Sequence, residues 1–243
     1  MNVFTKSFNA SNSIKALTLS IAMLSTTSAL AASTPSESTS KLLSANFASR
    51  QVIKVEAGDF HFAPGQVAPI HTHAAPAIGY VAKGEILYQV EGEKPQLLRQ
   101  GDAFYEPAGP RILRFDNASA TEEAIFIDFN LQQDGEPFIV FEKSPTEHID
   151  RRTLPTLELE GQTLNRADVF VSELAPSAQK QFTPKQATLA YVAEGIVEIK
   201  GDSETPRRIK AGETFSVSVG KPAVTVKNVS TELPAKVIAF YLH

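Results

Sequence analysis

The feature that most restricts this chain is that it repeats itself. Tyr80-Val-Ala-Lys-Gly84 returns as Tyr191-Val-Ala-Glu-Gly195, 111 residues further on. The same offset pairs Gly101 with Gly212, Phe104 with Phe215 and Gly109 with Gly220. It also pairs Asn117 with Asn228, Ser119 with Ser230, Phe129 with Phe240 and Leu131 with Leu242. A register held this long without a gap describes two copies of one folding unit. Each copy reads as short strands broken by turns. Glu85 to Val90 alternates, Glu91-Gly-Glu-Lys-Pro95 turns, Gln96 to Arg99 resumes, and Ile125 to Phe129 closes the unit. Runs rich in Ile, Val, Phe and Tyr at this spacing predict an all-β protein, an antiparallel sandwich or barrel. No stretch holds the 3.6-residue period of an amphipathic helix.

The repeat leaves three segments unaccounted for. Residues 1–31 carry Lys6 and Lys15, then the apolar run Ala16 to Leu24, then Ser28-Ala-Leu-Ala31. Charge, apolar core and small residues in that order predict a secretory signal peptide. The run is too short to span a bilayer as a helix, so no membrane insertion is expected after cleavage. Residues 32–49, rich in Ser, Thr and Ala, read as a flexible leader. Residues 132–160 carry Pro137, Pro145 and Pro155 and read as a linker, with an extra strand at Phe138 to Phe141. The expected units are therefore barrel 1 over 50–131 and barrel 2 over 161–243. A periplasmic or secreted location follows from the leader.

Charge and cysteine content narrow the function. The chain has 23 basic and 27 acidic residues, and both lysines of the leader leave with it, so the mature chain carries a net charge of −6. Nucleic acid is a poor partner for such a surface. There is no cysteine, so neither a disulfide framework nor thiol chemistry is available.

Chemistry concentrates in Gly65-Gln-Val-Ala-Pro-Ile-His71-Thr-His73. Residues i and i+2 of a strand share a face, so the two imidazoles converge and offer two nitrogens to one metal. Gly65, His71, His73 and Gly84 fall on the pattern G-x5-H-x-H-x3-E-x6-G. Gly101, Pro107 and Gly109 fall on G-x5-P-x-G. In these motifs and the repeat the chain resembles a two-barrel cupin over essentially its whole mature length. The resemblance implies two tandem jelly-roll barrels. It also implies a metal held by the two histidines, the glutamate of the first motif and a histidine after the second.

Two of those four ligands are missing. The glutamate position is Ala77, and the last histidine falls at or beside Ile112, with no histidine between His73 and His148. In the second copy the histidine positions are Phe182 and Pro184, so no metal is expected in barrel 2. A substitute third ligand in barrel 1 is Asp128, on the closing strand, or Glu106, before Pro107. The metals such a set takes are iron, manganese, nickel or zinc. Tyr88 shares a face with Ile86 and Val90 and points toward the barrel interior. Arg111 and Arg114 occupy the segment of the lost histidine. They either face solvent or join Tyr88 and the histidines in holding a small anion. Asn117-Ala-Ser119 and Asn228-Val-Ser230 match a glycosylation acceptor, but their equivalent places in both copies favour a shared turn.

The expected function is an exported protein that binds a small polar or anionic ligand in barrel 1, with barrel 2 structural. The alternative is a metal-dependent enzyme using His71, His73 and a substitute ligand; similar two-barrel proteins include dioxygenases, decarboxylases and isomerases. A third reading is a structural module whose copies associate through sheet faces.

Overall fold

The computed structural model describes residues 36–183, 185–201, 205–220 and 222–243. The signal sequence, the start of the expected leader and Pro184 lie outside the described residues. Every regular element among them is a strand, and no helix is long and apolar enough to cross a membrane. The strands of the first half are β1 (Glu37–Phe62), β2 (His71–Thr72), β3 (Ala77–Lys83), β4 (Glu85–Val90), β5 (Gln96–Arg99), β6 (Ala103–Glu106), β7 (Arg111–Asn117), β8 (Ala124–Gln132) and β9 (Val140–Phe141). Those of the second are β10 (Asp150–Leu174), β11 (Gln179–Phe182), β12 (Thr188–Glu194), β13 (Ile196–Lys200), β14 (Arg207–Lys210), β15 (Thr214–Val217), β16 (Val224–Asn228) and β17 (Ala235–Leu242).

The repeat appears directly in the topology. One eight-stranded sheet runs β15-β12-β17-β10-β1-β8-β3-β6 and is palindromic: each strand of the first half has its counterpart at the mirrored place. A five-stranded sheet, β5-β4-β7-β2-β9, closes barrel 1, and a four-stranded one, β11-β16-β13-β14, closes barrel 2. Residues one repeat apart meet across the middle. The Phe129 and Phe240 ring centroids lie 4.3 Å apart, and Tyr80 and Tyr191 lie 6.5 Å apart. Self-contact of equivalent positions is what a two-fold axis produces. Around it Ile78, Ile127, Leu131, Leu189, Ile238 and Leu242 form one core shared by both halves.

The turns explain the matching residues. Gly84 and Gly195 adopt φ of 76° and 78° where β3 passes to β4 and β12 to β13. A Cβ at Gly84 would lie 2.7 Å from the Glu123 carbonyl oxygen, so only glycine suits the position. Asn117 is buried and donates through Nδ2 to the carbonyls of Phe62, Ala63 and Glu122. Asn228 does the same to Leu174, Ala175 and Leu233. Each side-chain oxygen accepts from the serine backbone amide two residues on, at 3.0 Å. These asparagines are internal turn braces, and their amides are not presented to a glycan-attaching enzyme.

Two segments differ from the sequence reading. Residues 37–49, expected as part of a flexible leader, form the first half of β1 and pair with β10 from Glu37↔Leu174 to Asn46↔Arg166. Their side chains are mostly exposed, so no apolar alternation announced the strand; main-chain hydrogen bonds hold it. Likewise Asp150 to Glu158, expected as linker, is strand paired with residues 54–61 of β1. The two halves thus exchange strand length across the middle. The extra strand of the linker is β9, at Val140–Phe141, and it docks on β2.

Candidate metal centre

β2 is only two residues long, but it is pinned on both sides. His71 pairs with Ile112 of β7 and with Phe141 of β9. His73 follows in a bridge to Ala108, with Gly109 N–H donating to the His73 carbonyl at 3.0 Å. The alternation holds, so both rings face inward, both are buried, and their centroids are 5.3 Å apart.

Each ring is oriented through Nδ1. His71 Nδ1 lies 2.8 Å from the Pro69 carbonyl and His73 Nδ1 lies 3.0 Å from the Phe138 carbonyl. A carbonyl only accepts, so both Nδ1 atoms carry hydrogen. Asn130 Nδ2 donates to the same Phe138 carbonyl at 3.2 Å. This leaves Nε2 of both histidines as the free donor atoms, the state in which imidazole binds a metal. Both Nε2 atoms point at one carboxylate: Glu106 Oε1 is 3.6 Å from His71 and Oε2 is 3.2 Å from His73.

Glu106 stands where the pattern's missing glutamate is needed. In the β3–β6 pair Ala77 lies directly opposite Glu106, and opposite residues share a face with Cβ atoms about 5 Å apart. Glu106 thus presents its carboxylate from the strand beside Ala77, whose methyl leaves it room. His71, His73 and Glu106 form the cluster of buried donor atoms, mutually within 4.8 Å, found among the described residues.

The electrostatics follow from burial. Desolvation alone would lower the His73 imidazole, but the adjacent Glu106 carboxylate overrides it and raises it to about 9. Desolvation alone would raise Glu106, but the His73 charge and the two imidazole contacts hold it down at about 2. Asp128, also buried, is raised to about 7, first by desolvation and then by repulsion from Glu106. His73 Nε2, Glu106 Oε1 and Asp128 Oδ1 are buried without a hydrogen-bond partner. Such atoms are rare in folded proteins and call for an explanation. A divalent cation accepting both Nε2 atoms and the Glu106 carboxylate satisfies two of the three. The residues therefore fit a metal.

The remaining candidates do not join this cluster. Asp128 lines the same cavity but is not in the donor cluster. Tyr88 is buried as expected, yet its hydroxyl donates to the Tyr105 carbonyl at 2.5 Å and its ring packs on Phe104 and Phe115, so it belongs to the core. Arg111 is at the surface, donating to Glu142 and to Glu91. Arg114 pairs with Asp116 at 2.9 Å and is nearly half exposed. Neither arginine enters the cavity, because β7 turns them to its outer face.

The cavity itself is small, about 30 Å³, and apolar, enough for one or two water molecules. Phe60, Phe62, Phe115 and Phe126 wall it, and Ile139, Phe141 and Ile149 of the segment joining the two halves close it. The sequence located this segment and its extra strand but not its position over the site. The segment supplies the carbonyl that orients His73, and it is fastened by Arg50 to Glu136, by Arg111 to Glu142, and by Gln66 Nε2 to the His148 carbonyl.

The cupin domain family matches residues 54–130. That match covers the first of the two repeats and makes residues 54–130 a cupin domain. No curated protein matches the sequence. Among solved structures the chain is similar to AerE from Microcystis aeruginosa, at 15% identity and TM-score 0.57, covering 78% of this chain and 88% of that one. It is similar to salicylate 1,2-dioxygenase from Pseudaminobacter salicylatoxidans at 13% identity and TM-score 0.53, covering 78% and 71%. It is also similar to a variant of Bacillus subtilis oxalate decarboxylase OxdC at 14% identity and TM-score 0.56, covering 84% and 74%. At these identities the likeness concerns the fold. Barrel 2 has no comparable cluster among its described residues. One repeat after His71, Glu106 and Asp128 stand Phe182, Val217 and Ala239, all in an apolar core.

Proposed function

We propose that this cupin is a metal-dependent enzyme whose centre is His71, His73 and Glu106, acting on a small compound with an apolar body. The observation that carries it is the convergence of two Nε2 atoms, each with its Nδ1 proton spent on a backbone carbonyl, on one buried carboxylate. Two histidines and a carboxylate with open positions are the donor set of non-haem iron oxygenases. When bound, such a metal activates oxygen or water and polarises a substrate oxygen. The likeness to salicylate 1,2-dioxygenase supports this class, and the likeness to oxalate decarboxylase keeps a lyase in view.

The protein's own contribution is binding and exclusion. The four phenylalanines offer flat apolar contact to a ring or chain. The cavity is too small for any organic substrate as it stands, so Ile139, Phe141 and Ile149 must move aside to admit one. Closing again, they shut water out of the site. Barrel 2 completes the sheet and carries no chemistry. The leader sequence supports a periplasmic or secreted location, which the N-terminus of the mature protein recovered from fractionated cells tests.

An exported binding protein holding a small polar ligand on the same residues is the second reading, favoured by the unpaired oxygens of Asp128 and Asn130. Metal analysis of protein purified without chelating resin separates the two. About one iron, manganese, nickel or zinc per chain, absent from His71→Ala and His73→Ala variants, supports the enzyme. Metal-free protein that still binds small polar compounds overturns it.

A further inference from the structure

We propose that Asp128 sets the charge of the ligand this site accepts, so that the cavity takes a neutral, hydrogen-bonding molecule and rejects a carboxylate. The inference rests on the metal reading above.

Asp128 occupies the middle of β8, opposite Gly79 on one side and Gly58 on the other. The Phe104 ring lies over Gly79, and Phe60 and the Arg151 side chain lie over Gly58, while the Asp128 carboxyl itself lines the cavity that His71, His73 and Glu106 share. It is 3% exposed, and Oδ1 has no partner. A buried, unpaired carboxylate oxygen beside a catalytic cluster is costly unless something binds it. The second copy has Ala239 at the equivalent place, also buried, so the barrel does not need an acid there to fold.

Charge counting gives the specificity. No arginine or lysine lines the cavity. The guanidinium acting on Asp128 from β10, that of Arg151, is engaged with Glu56 at 2.6 Å and stacked on Phe138. A divalent cation on the triad is then neutralised by Glu106 and Asp128 together. An entering anion meets no net positive charge and one carboxylate oxygen at close range. A hydroxyl or a water instead gives Asp128 the proton donor it lacks. The structure therefore favours neutral alcohols or phenols over the anionic ligand that the sequence suggested.

The test uses the full mature chain loaded with cobalt(II), whose visible spectrum reports ligand binding without turnover. Azide serves as the anionic probe and imidazole as the neutral one, at pH 8. Replacing one carboxylate at this range by a neutral group, Asp128→Asn, is expected to tighten azide binding by about tenfold or more and to change imidazole binding less than about threefold. Asp128→Ala makes the same charge change with the residue barrel 2 uses, and stands in if the first variant fails to hold cobalt. Azide affinity unchanged in both variants, or azide and imidazole shifting together, overturns the inference while the metal reading stands. Failure of the wild-type chain to bind cobalt overturns both.

Discussion

Glu106→Gln is the perturbation that separates this site from any other assignment of its third ligand. Glu106 is fully buried between two imidazoles, and its carboxyl sits at about 2 against an ordinary 4.5. At about 1.4 kcal/mol per tenfold change in proton affinity, that favours the charged pair by about 3 kcal/mol. Breaking a buried ion pair by removing one partner costs a similar amount, roughly 3–5 kcal/mol. For a domain of this size the metal-free variant should melt about 6–12 °C below the metal-free wild type. The measurement belongs near pH 6. The Glu106 contribution is present above pH 4.5 and is lost as pH falls through about 2, whereas that of His73 is present below pH 6.5 and is lost as pH rises through about 9. The second readout is metal affinity, by competition with a chromophoric chelator. Loss of a group beyond the ligands typically costs 10–100-fold, so loss of a ligand should exceed about 100-fold. The double variant Ala77→Glu/Glu106→Ala returns the carboxylate to the opposite strand and should recover most of that loss. A Glu106→Gln variant that holds metal within about threefold of wild type would refute the reasoning and turn attention to Asp128.

Four further outcomes are expected. Metal affinity should rise between pH 6 and 9, because the metal displaces the proton that Glu106 helps His73 to keep; a chelator competition series over pH checks it. Asn117→Ala and Asn228→Ala should each destabilise by about 2–3 kcal/mol in urea, since each strands buried carbonyls, and neither asparagine should carry a glycan from a glycosylating host. Tyr88→Phe should cost about 1 kcal/mol for one hydrogen bond and leave metal affinity unchanged in the same competition assay. Arg111→Ala should leave metal stoichiometry intact but speed amide exchange over residues 133–149, because it releases Glu142; unchanged exchange would show that the segment is held by other contacts.

The cross-strand position of Glu106 shows where sequence reasoning runs out. His71 and His73 were legible because i and i+2 share a face of a strand by local geometry alone. Glu106 was one of two candidates, and deciding between them needed the register of β3 against β6, strands separated by β4 and β5. One signal was available in the repeat. His71, Glu106 and Asp128 each face an apolar residue one repeat later: Phe182, Val217 and Ala239. Interior positions whose polarity differs between two copies are where one copy has kept chemistry. Arg111 and Arg114 misled because the segment was right and the face was not; β7 carries a register shift against β4 between Gln89 and Val90, and a one-residue slip reverses every side chain beyond it.

By itself the sequence determined the repeat, the all-β architecture, the turn glycines and the paired histidines, since all of these are local or are periodic along the chain. The tertiary structure decided the rest. It placed Glu106 rather than Asp128 against the two histidines, drew residues 37–49 and 150–158 into a sheet continuous across both halves, and folded the joining segment over that cluster. Those outcomes depend on which strands lie side by side. Pairing across many residues is set by the total burial of a closed barrel, not by any short stretch of sequence.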